Sequence, residues 1–202
     1  MKAESILRRH ICPLLFSLVC VLIALLPESF ITKLQYQRIH ITDGELWRLF
    51  SAHLTHLGWG HLIMNLAGFW LILALFPKTQ PPLRCMILLV LLILGTSIGL
   101  WLFSPEVTWY RGLSGVLHGL LCWGALKQLK EQPGVSFFIL TFVVIKLIWE
   151  QWQGPLPGSE SLAAGSVIVD AHLYGAVTGV ILWSLGPVVL GPVNTNFVKI
   201  IG

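Results

Sequence analysis

Two residues far apart in the chain carry groups suited to nucleophilic chemistry together, Ser114 and His172. Ser114 lies in Arg111-Gly112-Leu113-Ser114-Gly115, where a loop turns into an apolar run. The first turn of a helix leaves N–H groups free to hold an oxyanion, and glycine lets a substrate backbone come close. Alone this signal is weak, because Gly-Ser-Gly inside an apolar helix more often marks tight packing. A serine nucleophile also needs a base. The run Asp170-Ala171-His172-Leu173-Tyr174-Gly175 offers one, and an ionisable side chain inside an apolar segment points to function. Gly115 and Gly119 form one G-x-x-x-G, and Gly175 and Gly179 form another. Small residues at that spacing let two helices touch. Ser114 stands just above the first pair and His172 just above the second. The alternative is that His172 only caps a helix or bonds a carbonyl; the matched heights favour a Ser–His pair.

Other polar residues compete for roles. Asp170 is two residues from His172, and i, i+2 side chains do not face each other on a helix, so a triad through Asp170 is disfavoured. A carboxylate there suits a helix N-terminus instead. His118, four residues after Ser114, would have to reach back a full turn to act as base; packing against His172 fits it better. His53, His56 and His61 cluster near Asn65, and His61 and Asn65 share a helix face. No H-E-x-x-H pattern accompanies them, so two hydrogen-bond donors for an oxyanion hole are as good a reading as a metal. Lys146 and Glu150 are i and i+4 near the end of another apolar run. They read either as part of a lateral gate or, preferably, as side chains snorkelling to the interface.

The elements that must position these groups are apolar helices. The chain is 55% hydrophobic and 11% charged over 202 residues, against about 25% charged in a typical soluble domain. Its mean hydropathy is +0.80. That composition excludes a disordered chain, a nucleic-acid-binding module and an ordinary cytosolic enzyme. Six apolar segments are expected as spans, at 11–26, 57–76, 83–103, 113–126, 135–149 and 169–185. At about 20 residues each, six spans leave only short loops and no second domain, so 1–202 reads as one membrane domain. The first segment follows Lys2, Arg8 and Arg9 but lacks an A-x-A cleavage site, and is read as a retained anchor. With the N-terminus cytoplasmic, the inside carries Lys2, Arg8, Arg9, Lys78, Arg84, Lys127, Lys130 and Lys199. The outside carries Lys33, Arg38, Arg48 and Arg111. The positive-inside rule therefore puts both termini in the cytoplasm and the long first loop, Glu28 to His56, outside. Tryptophans 47, 59, 109, 149 and 152 fall near span ends, as interfacial anchors do. The four cysteines lie in apolar runs without a C-x-x-C pair and read as reduced and structural.

Three patterns occur together: His56-x4-His61-x3-Asn65, Gly112-x-Ser114-Gly115 and Ala171-His172-x2-Gly175-x3-Gly179. In this order and in these spans they resemble the rhomboid intramembrane serine proteases, over about Trp47 to Gly179. Trp47-Arg48 is similar to the family's first-loop signature. The resemblance implies an all-α, six-helix rhomboid-like bundle. It implies Ser114 as nucleophile and His172 as general base, with Asn65, His61 and the Ser114 N–H holding the oxyanion and His56 ordering the first loop. His53 has no role by this resemblance and is read as a loop residue. Many rhomboids stack a tyrosine on the catalytic histidine where this chain has His118. The small size and the run Gly112-Leu113-Ser114-Gly115-Val116-Leu117-His118-Gly119 resemble the rhombosortase branch. That branch implies cleavage, or acyl transfer to another amine, at a C-terminal Gly-Gly motif followed by an apolar helix and a basic tail on exported proteins. The expected partners are such an anchored protein and the lipid bilayer, with no nucleic acid, no cofactor and no metal. The expected place is a bacterial inner membrane, with the site facing the periplasm. Three alternatives stay open: an inactive rhomboid-like protein that binds membrane helices, a haem or metal protein using His61, His118 and His172, and a generic six-span packing or transport unit.

Overall fold

A computed structural model describes residues 2–76 and 81–186. The chain begins with α1 (Lys2–Ala24), followed by three short helices, α2 (Glu28–Leu34), α3 (Arg38–Thr42) and α4 (Arg48–Ser51), and a 3-10 turn at Ala52–Leu54. Then come α5 (Trp59–Leu75), α6 (Pro82–Phe103), α7 (Ser114–Gln128), α8 (Pro133–Gln153), the short α9 (Ser159–Ala163) and α10 (Val169–Ser184). Two residue pairs, β1 (Tyr36–Gln37) and β2 (Trp109–Tyr110), join antiparallel with Tyr36 opposite Tyr110. Each of the six expected apolar segments is a helix, with ends within a few residues except at α1, which starts earlier than expected. Helices α6 and α8 both start with proline at the first turn, where its missing N–H costs nothing. Only α6 and α8 are single helices long and apolar enough to cross a membrane among the described residues; α4 with its 3-10 turn and α5 would add a third span, bent by 92°. Lys78 and Lys199 lie outside the described residues.

Leu92, Ile93, Leu113 and Val116 have no exposed surface and form part of the core between α6 and α7. Lipid is as apolar as leucine, so burial alone does not drive helices together; close backbone approach must. The tightest pair is α7 with α10. The carbonyl oxygens of Gly115 and Gly119 fill the places where Cβ atoms on Gly175 and Gly179 would stand. In return, a Cβ on Gly119 would meet the Gly175 carbonyl oxygen at 2.6 Å. The two G-x-x-x-G motifs are therefore one seam, as their spacing predicts. Thr178 and Tyr174 of α10 lie against Gly95 and Gly99 of α6 in the same manner.

The segment from Glu28 to His56, expected as a long outward-facing loop, is a folded cap of short helices. Arg48, 3% exposed, gives hydrogen bonds to the carbonyls of Thr32 and Gln35 at 2.9 Å each and pairs with Glu45. Arg38 reaches down to the end of α6 and donates to the carbonyls of Leu100 (2.7 Å), Trp101 (3.0 Å) and Ser104 (2.8 Å) while lying over the Trp101 ring. The Leu100 and Ser104 carbonyls also accept the Ser104 and Val107 N–H groups, so the guanidinium takes their second lone pairs at a helix end that carries partial negative charge. Trp47, Trp59, Trp149 and Trp152 are about half or more exposed, in keeping with interfacial positions. Cys12, Cys20 and Cys122 are buried and unbridged, and Cys85 is half-buried.

Candidate active site

The turn into α7 is shaped by Gly112, whose φ of +125° suits only glycine. A Cβ there would also stand 2.8 Å from Cε1 of His61, so the glycine admits that ring. The Gly112 N–H donates to the Ala52 carbonyl (3.1 Å), and its own carbonyl accepts the Tyr110 hydroxyl (2.5 Å). With this turn pinned, Ser114 becomes the first residue of α7.

The α7–α10 seam sets His172 opposite. The Ser114 hydroxyl donates to Nε2 of His172 at 2.9 Å. On the ring's other side, Nδ1–H donates to Oε2 of Glu150 at 2.9 Å. The carboxylate can only accept, so it fixes the tautomer, with Nε2 the unprotonated nitrogen facing the serine. Oε1 of Glu150 accepts from the Lys146 ammonium at 2.6 Å, and that ammonium lies 3.3 Å from His172 Nδ1. Glu150 is 2% exposed. The expectation that Lys146 and Glu150 snorkel outward is thus wrong: their face of α8 points inward. Asp170 does stand in the first turn of α10, away from His172, bonded to the Ser104 hydroxyl (2.5 Å) and Gln151 (3.3 Å). His118 stacks on His172 with ring centres 4.3 Å apart and planes 22° apart. Its Nδ1 donates to the Ser114 carbonyl at 2.7 Å, so it packs against the His172 ring and does not face the serine hydroxyl.

Asn65 and His61 reach the same space from α5. His61 Nδ1 accepts the Leu57 N–H at 3.4 Å, which leaves the proton on Nε2 as a donor toward the cavity. Asn65 is 5% exposed, and its Nδ2 has no hydrogen-bond partner. A buried amide donor without a partner is costly and rare, and this one belongs to a side chain that lines the same cavity as Ser114. His56 packs edge-on against His61, ring centres 5.2 Å apart, so it meets the site through that ring. His53 is not a plain loop residue. It is fully buried, 2.9 Å from the Ser97 hydroxyl and edge-on to Tyr110.

Ser114, His172, Asn65, His61, His118, Lys146 and Glu150 line a cavity of about 190 Å3, roofed by α9 and the segment before α10. A larger groove of about 890 Å3 lies over the first-loop cap. Its arginines are engaged: Arg38 with carbonyls, Arg111 with Gln35 (2.6 Å) and Glu28 (2.5 Å). The Arg111 guanidinium holds the Glu28 carboxyl below its ordinary range. Among the described residues, one group has metal-ligand potential, His118, Glu150 and His172, with ligand atoms within 4.8 Å. The Lys146 ammonium already sits against that carboxylate and ring nitrogen, and His118 Nδ1 is engaged. A dication would have to displace a bonded cation, so this group fits a metal poorly.

The family model for the rhomboid domain matches residues 43–186, more than two thirds of the chain. The chain belongs to the rhomboid family. The matched stretch contains Asn65, Ser114 and His172, and the family together with the apolar helices makes this an integral membrane protein. Among its relatives is the rhomboid protease GlpG of Pectobacterium atrosepticum, 26% identical over 139 residues, which are 68% of this chain and 48% of that protein. The rhomboid protease GlpG of Salmonella paratyphi A is likewise 26% identical over 142 residues, 67% of this chain and 46% of that protein. This rhomboid spans about half the length of both relatives.

Proposed function

We propose that this rhomboid is an intramembrane serine endopeptidase. The observation that carries the reading is the 2.9 Å bond from the Ser114 hydroxyl to His172 Nε2, held across a backbone-to-backbone helix seam. In this account Ser114 Oγ attacks a peptide carbonyl as Nε2 of His172 takes its proton. Asn65 Nδ2, the His61 Nε2–H and the Ser114 N–H receive the oxyanion. His172 then protonates the leaving amine, and water entering the cavity hydrolyses the acyl-enzyme. Both relatives named as rhomboid proteases support the assignment.

Six spans with both termini cytoplasmic follow from the apolar runs and the distribution of Lys and Arg. The site then opens outward, toward the periplasm of a bacterial inner membrane. Interior helices of 15–17 residues, such as α5, α7 and α10, are short for a bilayer core, which suits a cavity that admits water from that side. The substrate we propose is the C-terminal Gly-Gly, apolar-helix and basic-tail signal of exported proteins. The small cavity, walled by two imidazole rings and roofed by α9, favours residues without bulky side chains at the cut. The test is cleavage of a reporter bearing that signal by the protein reconstituted in liposomes. Cleavage beside Gly-Gly that Ser114→Ala abolishes is expected. Equal cleavage by the variant overturns the assignment.

A further inference from the structure

We infer that Glu150 completes a Ser114–His172–Glu150 triad, as a positioning residue that sets the tautomer and tilt of His172. The inference rests on the protease reading of the same site. Its basis is geometric. The carboxylate on α8 meets His172 Nδ1 at 2.9 Å, and Nε2 meets Ser114 Oγ at 2.9 Å, so the three groups stand in line across α8, α10 and α7.

Burial strengthens the argument. Along α8, Phe142, Ile145, Ile148, Trp149 and Trp152 face outward, yet Glu150 is 2% exposed and its side chain turns inward on the stripe of Ile139, Val143 and Leu147. A charged group inside an apolar helix is expensive unless it is paired and used. The Lys146 ammonium supplies the pairing at 2.6 Å.

Lys146 also explains why a carboxylate is required. Its ammonium lies 3.3 Å from His172 Nδ1 and can only donate. Without Glu150, that nitrogen would be drawn to accept from the ammonium. The ring proton would then sit on Nε2, facing Ser114, and the base would be blocked. With Glu150 present, Oε2 takes the Nδ1–H and Oε1 takes the ammonium, so Nε2 stays free. The same carboxylate faces the imidazolium that forms when Ser114 gives up its proton. The other charged or titratable groups lining this cavity are His61 on α5, Tyr110 and Arg111 before α7 and His118 on α7; none of these carries a carboxylate, and the Tyr110 hydroxyl is spent on the Gly112 carbonyl.

The test compares wild type, Glu150→Gln, Glu150→Asp and Lys146→Met/Glu150→Gln in detergent, by fluorophosphonate labelling rate and by kcat and KM on a cleaved reporter. Removing the orienting acid of a serine–histidine–acid triad lowers turnover by about 10⁴. Glu150→Gln is expected to lose that much in kcat and in labelling, with KM changed only a few-fold, and Glu150→Asp to recover at least part. The double variant, which leaves no lone buried ammonium, is expected to remain as slow as Glu150→Gln while folded. If Glu150→Gln labels Ser114 at the wild-type rate, or the double variant regains it, Glu150 merely neutralises Lys146 and the triad is wrong. Wild type that fails to label at Ser114 overturns the protease reading itself.

Discussion

The carbonyl oxygen of Gly115 occupies the space where a Cβ on Gly175 would stand. Backbone touches backbone there, one residue after Ser114 and three after His172. The reach between Ser114 and His172 is therefore set by a residue with no side chain. Gly175→Ala must push α10 off α7. A displacement of about 1 Å at reacting groups can cost on the order of 100-fold in rate. Labelling of Ser114 should fall by at least that factor, and thermal stability should drop, since overpacking costs about 1–3 kcal/mol. Labelling within a few-fold of wild type would mean that the seam does not set the geometry.

Asn65 makes a contrasting prediction. Its Nδ2 bonds nothing in the folded protein, so Asn65→Ala removes an unpaired buried donor and should leave the melting temperature unchanged or raise it. Loss of one oxyanion donor costs about 10²–10³ in kcat. A kinetic loss without a stability loss, read by kcat beside a thermal melt, supports the oxyanion role. A drop in stability with kcat intact contradicts it.

His118 stacks on His172 with ring centres 4.3 Å apart. An aromatic pair of this kind is worth about 0.5–1.5 kcal/mol, or roughly 2- to 12-fold. His118→Phe keeps a ring on His172 and should stay within about tenfold of wild-type labelling. His118→Ala should fall below it. Equal rates for the two variants would show that the ring has no part in holding the base.

Much of this was legible in the sequence, and the reasons are local. The six apolar runs, the two G-x-x-x-G motifs and the pairing of Ser114 with His172 follow from period, spacing and the cost of polar groups among apolar ones. Glu150 was not legible as a partner of His172. An i, i+4 Lys–Glu pair near a helix end looks the same whether it faces lipid headgroups or a cavity. Its alignment with Ile139, Val143 and Leu147, buried at steps of three and four, was the available signal. His53 and the first-loop cap were hidden for another reason. Helices of four to seven residues carry no readable period, and their order comes from distant partners such as Ser97 for His53 and the end of α6 for Arg38.

The central claim is that His172 activates Ser114 as a nucleophile. The most direct measurement is mass-spectrometric mapping of the adduct after a fluorophosphonate reacts with the purified protein. The account predicts a single adduct on the peptide containing Ser114, lost in Ser114→Ala and reduced at least 100-fold in rate in His172→Ala. No adduct on the folded wild-type protein, or one that forms as fast without His172, would contradict it.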